Sequence, residues 1–83
     1  MLKEVLEIRA AVLEATTLED EKLFRNSGRV NRSLIAFAKT EILRSDLPKT
    51  LCFCFSSVEV NVLNKAHIAA LSQAAIEIMD GVK

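Results

Sequence analysis

The stretch that decides the fold is Leu51-Cys-Phe-Cys-Phe-Ser-Ser-Val-Glu-Val-Asn-Val62. Its large apolar residues fall at odd positions before the Ser56-Ser57 pair and at even positions after it. A two-residue hairpin produces this change of phase, because pairing across the turn places all the apolar side chains on one face. We therefore predict a β-hairpin over about residues 50–62, with an apolar face formed by Leu51, Phe53, Phe55, Val58, Val60 and Val62.

A competing signal lies in the same stretch. Ser56-Ser-Val-Glu59 is a capping-box pattern, so a helix could begin near Ser57 instead. Three alternating valines favour a strand, since β-branched side chains suit a pleated sheet better than a helix. The Ser-Ser pair, however, lacks the Gly or Asn that a tight hairpin turn prefers. The alternative is an all-α fold, if residues 57–62 are helical.

Helical spacing dominates the rest of the chain. Apolar residues predict helices over about 2–15, 18–26 and 30–45, and an alanine-rich helix over about 64–80. Thr17 is suited to cap the second helix, and Gly28 is suited to end it in the left-handed conformation. The prediction is a helix-rich α+β fold in one domain, residues 1–83, with three N-terminal helices, the hairpin and the alanine-rich helix at the centre.

Composition limits the class of protein. The 83 residues are 51% hydrophobic, which argues against disorder, and no apolar run is long enough for a membrane span. No signal peptide is recognisable at the start, so a cytoplasmic location is expected, with no membrane partner. Cys52 and Cys54 lie two residues apart on one predicted strand, where neighbouring side chains on the same face do not easily reach disulfide geometry, so both are expected to be reduced.

No catalytic or cofactor signature is present. Cys52, Cys54 and His67 offer three potential zinc ligands, but two thiols separated by one residue are not a usual zinc motif. The chain has two glycines and no phosphate-binding loop, and it lacks a Ser/His/Asp set. We therefore expect no enzyme activity, no metal and no cofactor.

Two charged residues interrupt apolar stripes. Arg9 falls among the apolar positions of the first helix, and Glu41 among those of the third. If the two stripes face each other, Arg9 and Glu41 can form a bidentate pair, whereas otherwise each must reach another subunit or the solvent. Either residue could also extend past its neighbours to water.

The charges divide the chain into an acidic and a basic part. Residues 1–21 hold two basic and six acidic residues, a net charge of −4, and residues 22–49 hold seven basic and two acidic residues, a net charge of +5. The helices around Gly28 have the lengths of a helix-turn-helix, which suggests a DNA-binding regulator using residues 20–45. Four basic residues would contact the nucleic acid: Arg25, Arg29, Arg32 and Lys39.

Protein binding is the first functional hypothesis. An isolated hairpin leaves a strand edge open, and a chain this short has a marginal core that oligomerisation would assist. We expect a small regulatory module that forms a homodimer, through the hairpin edge or the last helix, and binds an unidentified larger protein. Interaction residues would be the hairpin face together with Arg9 and Glu41.

Overall fold

The computed structural model describes residues 2–48, 51–56 and 65–81. These ranges contain five helices and no strand: α1 Leu2–Ala15, α2 Leu18–Ser27, α3 Arg32–Arg44, α4 Phe53–Ser56 and α5 Ala66–Asp80. The fold of the described chain is all-α, and the α+β prediction is wrong.

The predicted hairpin fails at its first strand. The backbone N–H of Leu51 donates to the carbonyl of Pro48, and that of Phe55 to the carbonyl of Cys52, each at 2.9 Å. Backbone hydrogen bonds between residues three positions apart are typical of turns and 3₁₀-helix, whereas the backbone of a strand forms its hydrogen bonds with a neighbouring strand. Cys52 and Phe55 are 1% and 4% exposed, so Cys52, which the alternating pattern omitted, belongs to the core.

The second half of the predicted hairpin, with Val58, Val60 and Val62, lies outside the described residues. The all-α alternative depended on a helix over residues 57–62, and these residues also lie outside the described ranges.

The boundaries of α2 follow from its local sequence, and the predicted caps are confirmed. The Thr17 hydroxyl accepts a hydrogen bond from the N–H of Asp20 at 3.1 Å, and the Asp20 carboxylate accepts one from the N–H of Thr17 at 2.8 Å. This reciprocal pair is the capping box. At the other end Gly28 has φ +69°, and its N–H donates to the carbonyl of Phe24 at 2.8 Å. Only glycine adopts that conformation at no steric cost.

The start of α5 differs from the prediction, while its end at Asp80 agrees with it. The helix begins at Ala66, preceded by Lys65, which contributes no side-chain cap, while the predicted cap Asn64 lies outside the described residues. Glu21 of α2 supplies the missing acceptor, because its carboxylate oxygens lie 3.3 and 3.4 Å from the N–H of Ala66. Gly81 closes the helix with φ −73°, so no left-handed residue ends it.

The alanine-rich α5 lies at the centre of the fold, as predicted. It contacts each of α1, α2, α3 and α4, and its most extensive partner is α3. Ala38 of α3 and Ala70, Ala74 and Ala75 of α5 are all fully buried, and small residues of this kind allow helices to pack closely. Larger buried side chains complete the core around them: Val12, Leu34, Ile35, Ile42, Cys52, Phe55, Leu71 and Ile78.

Candidate interaction surfaces

A cluster of charges connects α3 to α5. The Glu77 carboxylate accepts two hydrogen bonds from the Arg32 guanidinium, at 2.6 and 3.0 Å, and one from Lys39 Nζ at 3.0 Å. Gln73 Nε2 donates a further hydrogen bond at 3.0 Å. These donors, Arg32 first, hold the pKa of Glu77 far below its ordinary value. The carboxylate therefore stays ionised through the physiological pH range.

This cluster engages two of the four residues expected to contact nucleic acid. Arg32 and Lys39 donate to Glu77, so a phosphate would have to compete with a carboxylate for both side chains. Arg25 and Arg29 are exposed on α2 and on the turn after it. The hypothesis of a DNA-binding regulator therefore depends on these two arginines and has no support from Arg32 or Lys39.

The outward face of α3 also fits poorly with base recognition. Its exposed residues include Ala36, Phe37, Thr40 and Leu43. Recognition helices usually present Arg, Lys, Asn or Gln to base edges. The exposed basic residues of α3 are Arg32 and Arg44, and the Arg44 guanidinium lies 3.6 Å from the Glu41 carboxylate.

The predicted pair between Arg9 and Glu41 is absent from the described residues. Although α1 and α3 pack together, Glu41 pairs with Arg44, three residues along its own helix. Arg9 is half-buried and close enough to His67 to affect its pKa. Arg9 and Glu41 therefore have different neighbours and do not interact with each other in the described part of the chain.

An apolar groove lies between α2 and α3. Leu34 is buried within it, and Leu23 and Phe37, 40% and 38% exposed, line it further out. The groove has a volume of about 530 Å³, and its polar residues include Glu19 and Asp20. The Asp20 carboxylate accepts hydrogen bonds from Thr17 and from Asn31, whose Nδ2 is 3.2 Å away, and these bonds lower its pKa. The groove thus combines apolar lining with carboxylates.

Two further sets of apolar side chains are exposed. On α1, Leu6 and Leu13 are 53% and 51% exposed, and the exposed Ala10 lies between them. Near the end of α5, Ile76 and Met79 are 40% and 42% exposed. Both helices therefore leave apolar side-chain surface exposed to solvent.

His67 is a buried titratable group that the sequence placed only at the edge of α5. The residue is 7% exposed, and its Nδ1 atom has no hydrogen-bond partner among the described residues. Burial lowers the pKa of the imidazole, Glu21 opposes that shift, and Lys65 and Arg9 reinforce it. The ring is therefore neutral at pH 7 and acts as a packing residue.

The thiols have no metal-binding arrangement. Cys52 is buried and Cys54 half-buried, and neither forms a disulfide. Across the described ranges, no three His, Cys, Asp or Glu side chains come together as a metal site. In the same ranges no helix combines the length and the apolar character needed to cross a bilayer.

The predicted interaction residues are scattered in the structure. Leu51 is half-buried and Phe55 is buried against the core, so both contribute to packing; Phe53 belongs to α4, and Val58 and Val60 lie outside the described residues. Sequence reasoning missed Glu77, the acid on which α3 and α5 converge. The one available signal was that Glu77 is the only acidic residue between Lys65 and Met79.

Comparisons with known proteins give no relative: no family model, no curated protein and no solved structure matches this chain.

Proposed function

We propose that this protein is a small interaction module that associates with itself and binds a larger protein, with no catalytic step. The observation that supports the proposal is the exposure of large apolar side chains on the helices. In the described part of the chain, eight are at least 38% exposed: Leu6, Leu13, Leu18, Leu23, Phe37, Leu43, Ile76 and Met79. Burying them against another protein would add apolar contact that a chain of 83 residues cannot supply internally.

We assign self-association and the binding of a larger protein to two different kinds of surface. The exposed leucines of α1 and the residues Ile76 and Met79 of α5 extend along helix faces, which suits pairing between copies. The groove between α2 and α3 is concave and suits an apolar segment of a larger protein that also carries a basic residue, since Glu19 and Asp20 line it.

Self-association is tested by sedimentation equilibrium together with thermal unfolding at several protein concentrations. A dimer whose Tm rises with concentration is expected, because folding and association are then coupled by mass action. A monomer with a concentration-independent Tm would contradict self-association. Leu13→Ser and Ile76→Ser, tested separately, identify which helix face is used. Arg25→Ser is the control, because Arg25 is exposed on α2 and no large apolar residue lies three or four positions from it.

A further inference from the structure

We propose that two copies of this chain pair through α1 in a parallel arrangement, with Arg9 of each copy bound to Glu14 of the other. The inference depends on the proposed self-association and specifies its surface and its partner, a second copy. It is carried by the spacing of the exposed apolar residues, by the direction in which they point and by the charges that flank them.

The spacing is that of a coiled-coil seam. Leu6, Ala10 and Leu13 are separated by four and then three residues, which is the heptad alternation of core positions. All three are exposed, and Leu6 and Leu13 each leave about half of their surface accessible to water in the monomer. Lys3 lies one heptad before Ala10, at the N-terminal end of the seam. It is exposed, so its ammonium group can stay in water.

The seam is separate from the face that α1 uses in its own fold. Val5, Ile8 and Val12 are buried against the core. At about 100° per residue, the mean direction of these three residues and that of the seam differ by roughly 130°. A second helix can therefore pack on the seam without displacing any core contact.

The charges beside the seam are complementary in one orientation only. Arg9 precedes Ala10 on one side of the seam and Glu14 follows Leu13 on the other, five residues later. In a parallel pair this separation brings each arginine opposite the glutamate of the partner helix, whereas an antiparallel pair brings like charges together. Glu14 is exposed and Arg9 is half-buried, and no hydrogen bond or ion pair joins either of them to another residue in the described part of the chain.

The size of this contact defines a weak dimer. A helix of 14 residues is about 21 Å long. Two such helices bury less than the roughly 1,200 Å² of a standard stable interface. We expect a dissociation constant on the order of 100 µM at low salt, increasing with ionic strength as the two exposed ion pairs are screened.

Charge reversal tests both the contact and its orientation. Arg9→Glu and Glu14→Arg, measured by sedimentation equilibrium from about 10 µM to about 1 mM, should each weaken dimerisation at least about tenfold because two attractive pairs become repulsive. An equimolar mixture of the two variants should form a heterodimer, and the double variant R9E/E14R should regain the wild-type dissociation constant. Lys22→Glu, a reversal of an exposed charge on α2, is the control and should leave dimerisation unchanged.

Each outcome decides a different point. Wild-type dimerisation that neither reversal weakens, with a mixture that binds no more tightly than the wild type, would overturn the α1 contact while leaving self-association through another surface in place. A wild type that stays monomeric up to about 1 mM would overturn both the contact and the self-association proposed above. Single variants that dimerise as well as the wild type, with a mixture that binds more tightly than the wild type, would overturn the parallel orientation, because an antiparallel pair faces like charges in the wild type and in each single variant. Circular dichroism of every variant verifies that helix content is kept, and Arg9→Gln, which removes the charge without reversing it, should weaken dimerisation less than Arg9→Glu.

Discussion

Glu77 near the end of α5 binds Arg32 at the start of α3 through two hydrogen bonds, although the residues are 45 positions apart in the chain. A bidentate contact between a carboxylate and a guanidinium fixes both distance and orientation. Lys39, two turns further along α3, binds the same carboxylate. The cluster therefore constrains how α3 and α5 align.

Replacing Glu77 with Gln should lower Tm by a few degrees at pH 7 and leave the helix content unchanged. The substitution removes the charge that Arg32 and Lys39 share. Glu19→Gln is the matched control, because Glu19 is exposed and, among the described residues, its one ion pair is with Lys22 at 4.0 Å. Differential scanning calorimetry of the two variants measures the difference, and equal Tm values would show that the cluster contributes nothing to stability.

The Glu77 carboxylate also makes the free energy of unfolding depend on pH in the acidic range. The pKa of Glu77 is lower in the folded protein than its ordinary value of 4.5, so the unfolded chain takes up the proton first. The stabilisation is present above pH 4.5 and is lost progressively as the pH falls below that value. Urea unfolding of the wild type between about pH 5 and about pH 2.5 should show this decline, and Glu77→Gln should show a smaller one.

His67 should produce a second pH dependence at higher pH. Burial lowers the pKa of its imidazole below the ordinary 6.5, so protonation is easier in the unfolded chain, and stability should fall as the pH decreases through 6.5. In His67→Leu that fall should disappear, and the free energy of unfolding at pH 6 should rise by about 1 kcal/mol, because a buried ring nitrogen without a partner is removed. Urea titrations at pH values from about 5 to about 7.5 measure both effects. An unchanged slope in the variant would assign the dependence to another group.

The Thr17 cap should be worth about 1 kcal/mol. Thr17→Ala removes the acceptor for the N–H of Asp20 and a donor to the Asp20 carboxylate, which also binds Asn31 ahead of α3. Thr40→Ala is the matched control, since the Thr40 hydroxyl donates only to a carbonyl within its own helix, and alanine there suits the helix. Equilibrium urea unfolding should show a loss for the first variant and none for the second. Equal stabilities would mean that the capping box does not hold α2.

Secondary structure could be predicted from the sequence where the interactions that determine it are local. Thr17, Asp20 and Gly28 are within hydrogen-bonding reach along the chain, so the limits of α2 could be predicted to within one residue. The alanines of α5 likewise indicated a helix packed on more than one side, and that helix is the centre of the fold.

The sequence was insufficient where two periods fit the same residues. Leu51, Cys52, Phe53, Cys54 and Phe55 form a continuous apolar run, and such a run is compatible with a strand or with a turn of helix. The alternating pattern counted only the larger apolar residues and omitted the two cysteines, yet Cys52 is among the most deeply buried side chains. Glu77 could not be assigned for a different reason: its partners are 38 and 45 residues away, and spacing carries no information over that distance.

Ala74 provides the sharpest test of the core. It is fully buried in α5, the helix whose most extensive partner is α3. Ala74→Leu must displace neighbouring atoms, so the free energy of unfolding should fall by about 1–3 kcal/mol even though leucine is a good helix former. Ala36→Leu makes the same chemical change on the exposed face of α3 and should alter stability by less than about 0.5 kcal/mol. Urea unfolding monitored by circular dichroism compares the two variants directly. A tolerated leucine at position 74 would mean that the helices packed around α5 can move apart without cost and that its buried small residues do not define the fold.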